Sequence, residues 1–150
     1  MPNKPKVPSV FQGNKIFDDR GSLGFINGFD VSDFKRFYLI ENHSVNFIRA
    51  WHGHLKETKT IIMVKGEALV CAVELDDTTN PNKNNEVTRV VLSATSPSAL
   101  YIPAGYANGF MTLSADAKLL VFSSTTVEES QGDDYRFAYD YWNPWNITPR

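Results

Sequence analysis

Two histidines separated by one residue, His52 and His54, stand in the segment Arg49-Ala50-Trp51-His52-Gly53-His54, and Lys59 follows shortly after. Side chains at i and i+2 of a strand share a face, so both imidazoles converge if the segment is extended. Imidazole is a common metal ligand and also a general acid or base near neutral pH. The pair therefore admits a metal centre, a proton-transfer site or, most plainly, two polar strand residues without chemistry. The third histidine, His43, lies one strand earlier and is expected to be a surface or supporting residue. Trp51 has the opposite phase to His52, so it is expected to pack in the barrel wall rather than meet a ligand.

The elements that must position these groups are short. Residues 37–40, 45–50, 60–64, 68–75, 87–92, 99–102, 109–113 and 118–123 read as strands, with β-branched and aromatic residues frequent. Lys65-Gly66 reads as a hairpin turn, Pro103-Ala104-Gly105 as a turn into a strand, and the polar run 76–85 as a hairpin tip. Residues 30–34 are expected to form one helical turn, and the acidic, aromatic tail to hold a short helix before Pro144. Many strands at a spacing of about ten residues predict a sandwich or barrel. The whole length, 1–150, is expected to be one domain, with 1–12 as an extended arm and 128–150 as a C-terminal appendage.

Composition narrows the function. A net charge of −2 offers no basic excess for phosphate backbones, so no nucleic-acid partner is expected. Apolar residues at 42% exclude a disordered tail, yet no run approaches the ~20 apolar residues of a membrane span. Prolines 2, 5 and 8 in a polar N-terminus argue against a signal peptide, so a cytoplasmic location with no membrane partner is expected. One cysteine, Cys71, allows neither an internal disulfide nor a four-cysteine zinc site. No glycine-rich phosphate loop and no GxSxG nucleophile motif is present.

The histidine segment resembles the cupin family of small double-stranded β-helix barrels. That pattern has HxH, a Glu seven residues before a Gly, then PxG with a third His three residues later. Here Lys59 stands seven residues before Gly66, and Asn108 stands three residues after Gly105. A protonated lysine has no acceptor and repels a divalent ion, so the resemblance implies the barrel without metal, and no cofactor is expected. Glu57 is read as out of phase with Lys59 and facing away. A neutral histidine with a lysine beside it suits removal of a proton next to a ketone, the lysine facing the enolate oxygen.

Further segments resemble the dTDP-4-dehydrorhamnose 3,5-epimerases: Asp18-Asp19-Arg20-Gly21, Asn42-His43-Ser44, Arg49-Ala50-Trp51-His52, Lys59 with Gly66-Glu67, and the run from Ile102 to Phe110. The resemblance implies His52 as base, Lys59 as enolate stabiliser, and Arg20, Asn42, Arg49 and Asn108 as substrate-binding groups. It departs where that family has its acid: the strand running from Phe122 to Val127 lacks a tyrosine. Ile40 replaces a glutamine, and the longer C-terminal part that carries an acid supporting the base has no counterpart. The segment also resembles the RGxHAH of sugar 3,4-ketoisomerases, also cupins, which implies that His54 is a second acid/base or an orienter. Tyr106 or a tail tyrosine closing over the barrel mouth is a candidate acid.

The sequence therefore predicts an all-β cupin jelly-roll barrel with a short C-terminal appendage. The function expected is a metal-independent epimerase or isomerase of a nucleotide-activated 4-keto-6-deoxy sugar in polysaccharide or glycan synthesis. The partners expected are that nucleotide sugar and a second copy of the chain in a homodimer. The alternatives are a catalytically silent cupin that binds sugar nucleotides or carbohydrate, and a metal-dependent dioxygenase.

Overall fold

Side-chain alternation along β7 (Glu67–Glu74) sets the layering. Ala68, Val70 and Ala72 join one apolar core, while Leu69, Cys71 and Val73 join a second on the opposite face. A strand buried on both faces reads as a continuous apolar run rather than an alternating one, as this one does. The computed structural model describes residues 4–150, so Met1 to Asn3 of the expected arm lie outside the described residues.

Two five-stranded sheets, antiparallel throughout, face each other across the first core. One runs in the order β1 (Ser9–Gln12), β9 (Ser98–Ile102), β6 (Lys59–Lys65), β11 (Lys118–Ser123), β4 (Arg36–Glu41). The other runs β12 (Tyr135–Arg136), β5 (Ile48–His54), β10 (Tyr106–Thr112), β7, β8 (Val87–Ser93). A separate hairpin pairs β2 (Asn14–Asp18) with β3 (Gly21–Phe25). This is the expected all-β double-sheet barrel. Each of the eight strands anticipated has a counterpart, whereas β1, β2, β3 and β12 are additional. β5 begins later than expected because Asn46, at φ 65°, belongs to the preceding turn. Residues 30–34 form a turn closed by the Phe34 N–H on the Val31 carbonyl, not a helix. Gly66 is required at its hairpin, since φ is +69° and a Cβ would lie 2.2 Å from Ser114 Oγ.

The second core lies outside the barrel, under the C-terminal segment. After the short helix α1 (Val127–Ser130), β12 pairs with the edge of β5, and the chain then crosses the outer face. Trp51, with no exposed surface, packs there against Trp142 and Trp145 at ring separations of 5.4 and 5.2 Å. Its indole N–H donates to the carbonyls of Tyr139 and Trp142. The opposite phase to His52 is as expected, but Trp51 is buried by the tail outside the barrel rather than within its wall.

A bulge in β5 re-aims the segment that carries the histidines. His52 pairs with Asn108 and Arg49 with Phe110, so three steps on β5 match two on β10. The extra residue reverses the alternation, which puts Arg49 on the cavity side together with His52 and His54. Gly109 accommodates the bulge: a Cβ there would lie 2.4 Å from Ala50 Cβ and 3.0 Å from Arg49 O. Gly109→Ala is expected to destabilise the fold by about 1–3 kcal/mol through overpacking. Gly28→Ala, where a Cβ meets nothing within 4 Å, serves as control. Urea unfolding of both variants checks this, and equal effects would contradict it.

Candidate active site

Alternate residues of the facing strands open into a cavity of about 540 Å³ at one end of the barrel. β4 contributes Arg36, Tyr38 and Ile40; β5 contributes Arg49, His52 and His54; β6 contributes Lys59 and Ile61; β10 contributes Asn108 and Phe110. The remaining wall comes from Glu57 and from the C-terminal segment, through Gln131, Gly132, Asp134 and Arg136. Apolar Ile40, Ile61, Phe110 and Val121 sit among these polar groups.

His54 is held firmly. Its Nδ1 lies 2.6 Å from the carbonyl oxygen of Asp133 and 3.2 Å from Glu57 Oε2. Both partners only accept, so Nδ1 carries the hydrogen and the neutral ring keeps its lone pair on Nε2. That Nε2 is buried and has no hydrogen-bond partner among the described residues. Burial, then the charge of Lys59, lowers the His54 pKa below its ordinary value, against the opposing pull of Asp133 and Glu57. His52 is half-buried, and its ring makes no hydrogen bond among the described residues. Burial, then Lys59 and Arg136, pushes its pKa down to about 4. Both imidazoles are thus neutral at pH 7.

Glu57 faces into the site, contrary to the expectation that it turns away. It stands two residues before Lys59, hence in phase with it, and in a turn rather than on the strand. Its carboxylate pairs with Arg36 Nη2 at 3.1 Å and accepts a hydrogen bond from the Ser123 hydroxyl. Support for a histidine, expected to be lost with a longer C-terminal part, is supplied here by this glutamate. Lys59 is 9% exposed, and its ammonium makes no hydrogen bond or ion pair among the described residues. Burial lowers its pKa, and the charge of Glu57 opposes the shift.

Asn108 lines the cavity and donates its amide to the His52 carbonyl at 3.2 Å. Asn42 does not reach the cavity; it accepts from Arg49 Nε at 2.7 Å and so acts on a lining residue. Arg20 lies outside it altogether. The β2–β3 hairpin projects as its own sheet, and Arg20 at its tip is exposed and paired with Asp18 at 2.6 Å. His43 is exposed in the turn after β4. Neither Tyr106 nor any tail tyrosine lines the cavity; Tyr38 does, its hydroxyl pKa pushed up to about 12 by burial and by Glu57. The alternation Arg36, Tyr38, Ile40 along β4 was a sequence signal for this face. No local signal pointed to Asp133, Asp134 or Arg136, because their position depends on the path of the tail.

The donor set does not fit a metal ion. Beside the two imidazoles stand an ammonium at Lys59 and an amide at Asn108, and Nδ1 of His54 is committed as a donor. Among the described residues no group of three His, Cys, Asp or Glu side chains is placed to hold one. Four cations (Arg36, Arg49, Lys59, Arg136) line the cavity against two carboxylates (Glu57, Asp134), an excess that favours an anionic ligand. Removing one partner of a buried charged hydrogen bond costs about 1–3 kcal/mol. Glu57→Gln and Arg36→Leu are therefore each expected to destabilise by that order. Their double-mutant cycle should give a coupling of at least ~0.5 kcal/mol, and a coupling near zero would show that the pair does not act together.

Several solved structures share the architecture. The QdtA sugar 3,4-ketoisomerase from Thermoanaerobacterium thermosaccharolyticum, in complex with TDP, is 23% identical over 91% of this chain and 92% of its own, with a TM-score of 0.66. The dTDP-4-dehydrorhamnose 3,5-epimerase from Bacillus anthracis is 20% identical over 95% and 86%, with a TM-score of 0.75. ChmJ, a 3'-monoepimerase from Streptomyces bikiniensis, is 17% identical over 99% and 80%, with a TM-score of 0.74. At these identities the likeness carries the fold. No curated protein sequence matches the chain. The family model described as WxcM-like, C-terminal (FdtA) matches residues 8–144, and with that span covered the chain belongs to this family.

Proposed function

We propose that the chain is a metal-independent isomerase of a nucleotide-activated 4-keto-6-deoxy sugar, serving glycan synthesis in the cytoplasm. The observation that carries this is a cavity that sets the imidazoles of His52 and His54 beside a Lys59 ammonium unpaired among the described residues. His52, half-buried on the cavity wall, is the base in this reading, and His54, whose ring is oriented by hydrogen bonds, is the second acid/base. The His52 ring takes the proton from the carbon beside the ketone, and Lys59 faces the oxyanion that develops. In a 3,4-shift the base exchanges that proton with solvent and delivers one to C4, while His54 or Tyr38 carries the hydroxyl proton of O3 to O4. Arg49 and Arg136, towards the mouth, suit a diphosphate, and Asn108 keeps the His52 backbone in place. A solved ketoisomerase of this fold that carries TDP-4-keto-6-deoxyglucose supports the choice of substrate.

We further propose a homodimer. The tail covers the outer face of one sheet, but the other leaves Phe37, Leu39 and Val64 exposed, and the β2–β3 hairpin exposes Ile16, Phe17 and Leu23. Such apolar patches mark association surfaces, and another copy of the chain is the cover we infer for this one. Sedimentation should give twice the chain mass of 16.9 kDa, and Phe37→Asp with Leu39→Asp should halve it. A monomeric wild type would refute the dimer.

Incubation with TDP-4-keto-6-deoxyglucose in D₂O should label a ring carbon next to the ketone. His52→Asn should slow labelling by about 10²–10⁴-fold and more than His54→Asn does. Binding without any label would leave the silent sugar-nucleotide-binding reading standing instead. Because the histidine pKa values are lowered, the neutral base persists below the ordinary value of about 6.5. The kcat/KM should therefore stay level through pH 6.5 and fall only below it, and an acid limb centred at or above 6.5 would contradict the account.

A further inference from the structure

We propose that Asp133 is a positioning residue that fixes which nitrogen of His54 is free to exchange a proton during the reaction; the proposal rests on the functional reading above. Asp133 is 3% exposed although it is charged and follows Gly132, whose φ is +82°. Its carboxylate accepts three consecutive backbone N–H groups, those of Leu55 at 2.7 Å, Lys56 at 3.1 Å and Glu57 at 3.0 Å. Its carbonyl oxygen, 2.6 Å away, accepts from His54 Nδ1. Side chain and main chain of one residue thus grip both the end of β5 and the turn that leads to Lys59.

The consequence lies in what Nδ1–H can donate to. It has two acceptors, the Asp133 carbonyl and the Glu57 carboxylate. One belongs to Asp133, and the other sits in the turn whose amide Asp133 holds. Both depend on the same carboxylate staying in place. With it, the Nδ1–H tautomer is enforced and the lone pair stays on Nε2. Without it, the turn and the tail separate, both acceptors move, and the ring is free to adopt the other tautomer or another rotamer. Asp133 makes this contact without lining the cavity, which distinguishes its part from that of the groups that meet the substrate.

The test pairs a spectroscopic reading with kinetics on the full chain. In ¹⁵N-histidine spectra, with the His54 signals assigned by their loss in His54→Asn, the wild type should show the Nδ1–H tautomer. Asp133→Ala should give a mixture with Nε2–H and lower kcat by about 10²-fold, the scale set by a misplaced reacting group, with KM changed less than threefold. Asp133→Asn, which presents one acceptor oxygen instead of two, should fall between and carries the test if the alanine variant does not fold. A folded variant that retains pure Nδ1–H, or one whose kcat is unchanged, overturns the proposal. If wild type exchanges no substrate protons, the functional reading falls, while the tautomer spectra still decide whether Asp133 positions His54.

Discussion

The hydrogen that His54 donates from Nδ1 joins the two parts of the molecule that make the cavity. On one side is a barrel strand, which places His52 and His54 in phase and, through its bulge, brings Arg49 to join them. On the other is the C-terminal segment, which meets the ring through Asp133 and supplies Asp134 and Arg136 to the wall. The tail is anchored at the contact by the Asp133 carboxylate and again further along, where Trp142 and Trp145 close over Trp51 and bury it fully. The path of the tail over the outer face of the sheet thus bears on the protonation geometry of its inner face.

The electrostatics follow from burying these groups together. A glutamate with little access to water is costly unless paired, and Glu57 is met by Arg36, the Ser123 hydroxyl and the His54 ring. Among the described residues Lys59 has no such partner, and burial draws its pKa down while the neighbouring carboxylate resists. Its charge in turn lowers both histidines. The site thus holds neutral bases beside a cation whose partner is missing. That combination suits a ligand whose negative charge develops during reaction, because a preorganised cation is worth more to an oxyanion than to a neutral ketone.

Much of this was legible in the chain, and the failures have definite causes. The i, i+2 spacing of His52 and His54 and the replacement of a metal-binding pattern by Lys59 and Asn108 pointed to the cavity and its chemistry. Plain alternation would have turned Arg49 away; the bulge that reverses it is marked only by Gly109, whose need for a missing side chain becomes visible once β5 and β10 are paired. Glu57 was misread because its phase was miscounted: it stands two residues before Lys59, so even plain alternation puts the two on one face, and the turn held by Asp133 keeps it there. The search for an acid among the tail tyrosines failed for another reason. The tail reaches the mouth with a loop and a two-residue strand, and its aromatic residues pack on the outside. Long-range partners such as Asp133, 79 residues from His54 in sequence, leave no local pattern.

The central claim is that His52 and Lys59 Nζ face one substrate together. A crystal structure of the His52→Asn variant with TDP-4-keto-6-deoxyglucose tests it most directly. The carbon next to the ketone is expected against the side chain at position 52 and the ketone oxygen within hydrogen-bond distance of Lys59 Nζ. A sugar ring turned so that its ketone points away from Lys59, or a nucleotide occupying the space around position 52, would contradict it.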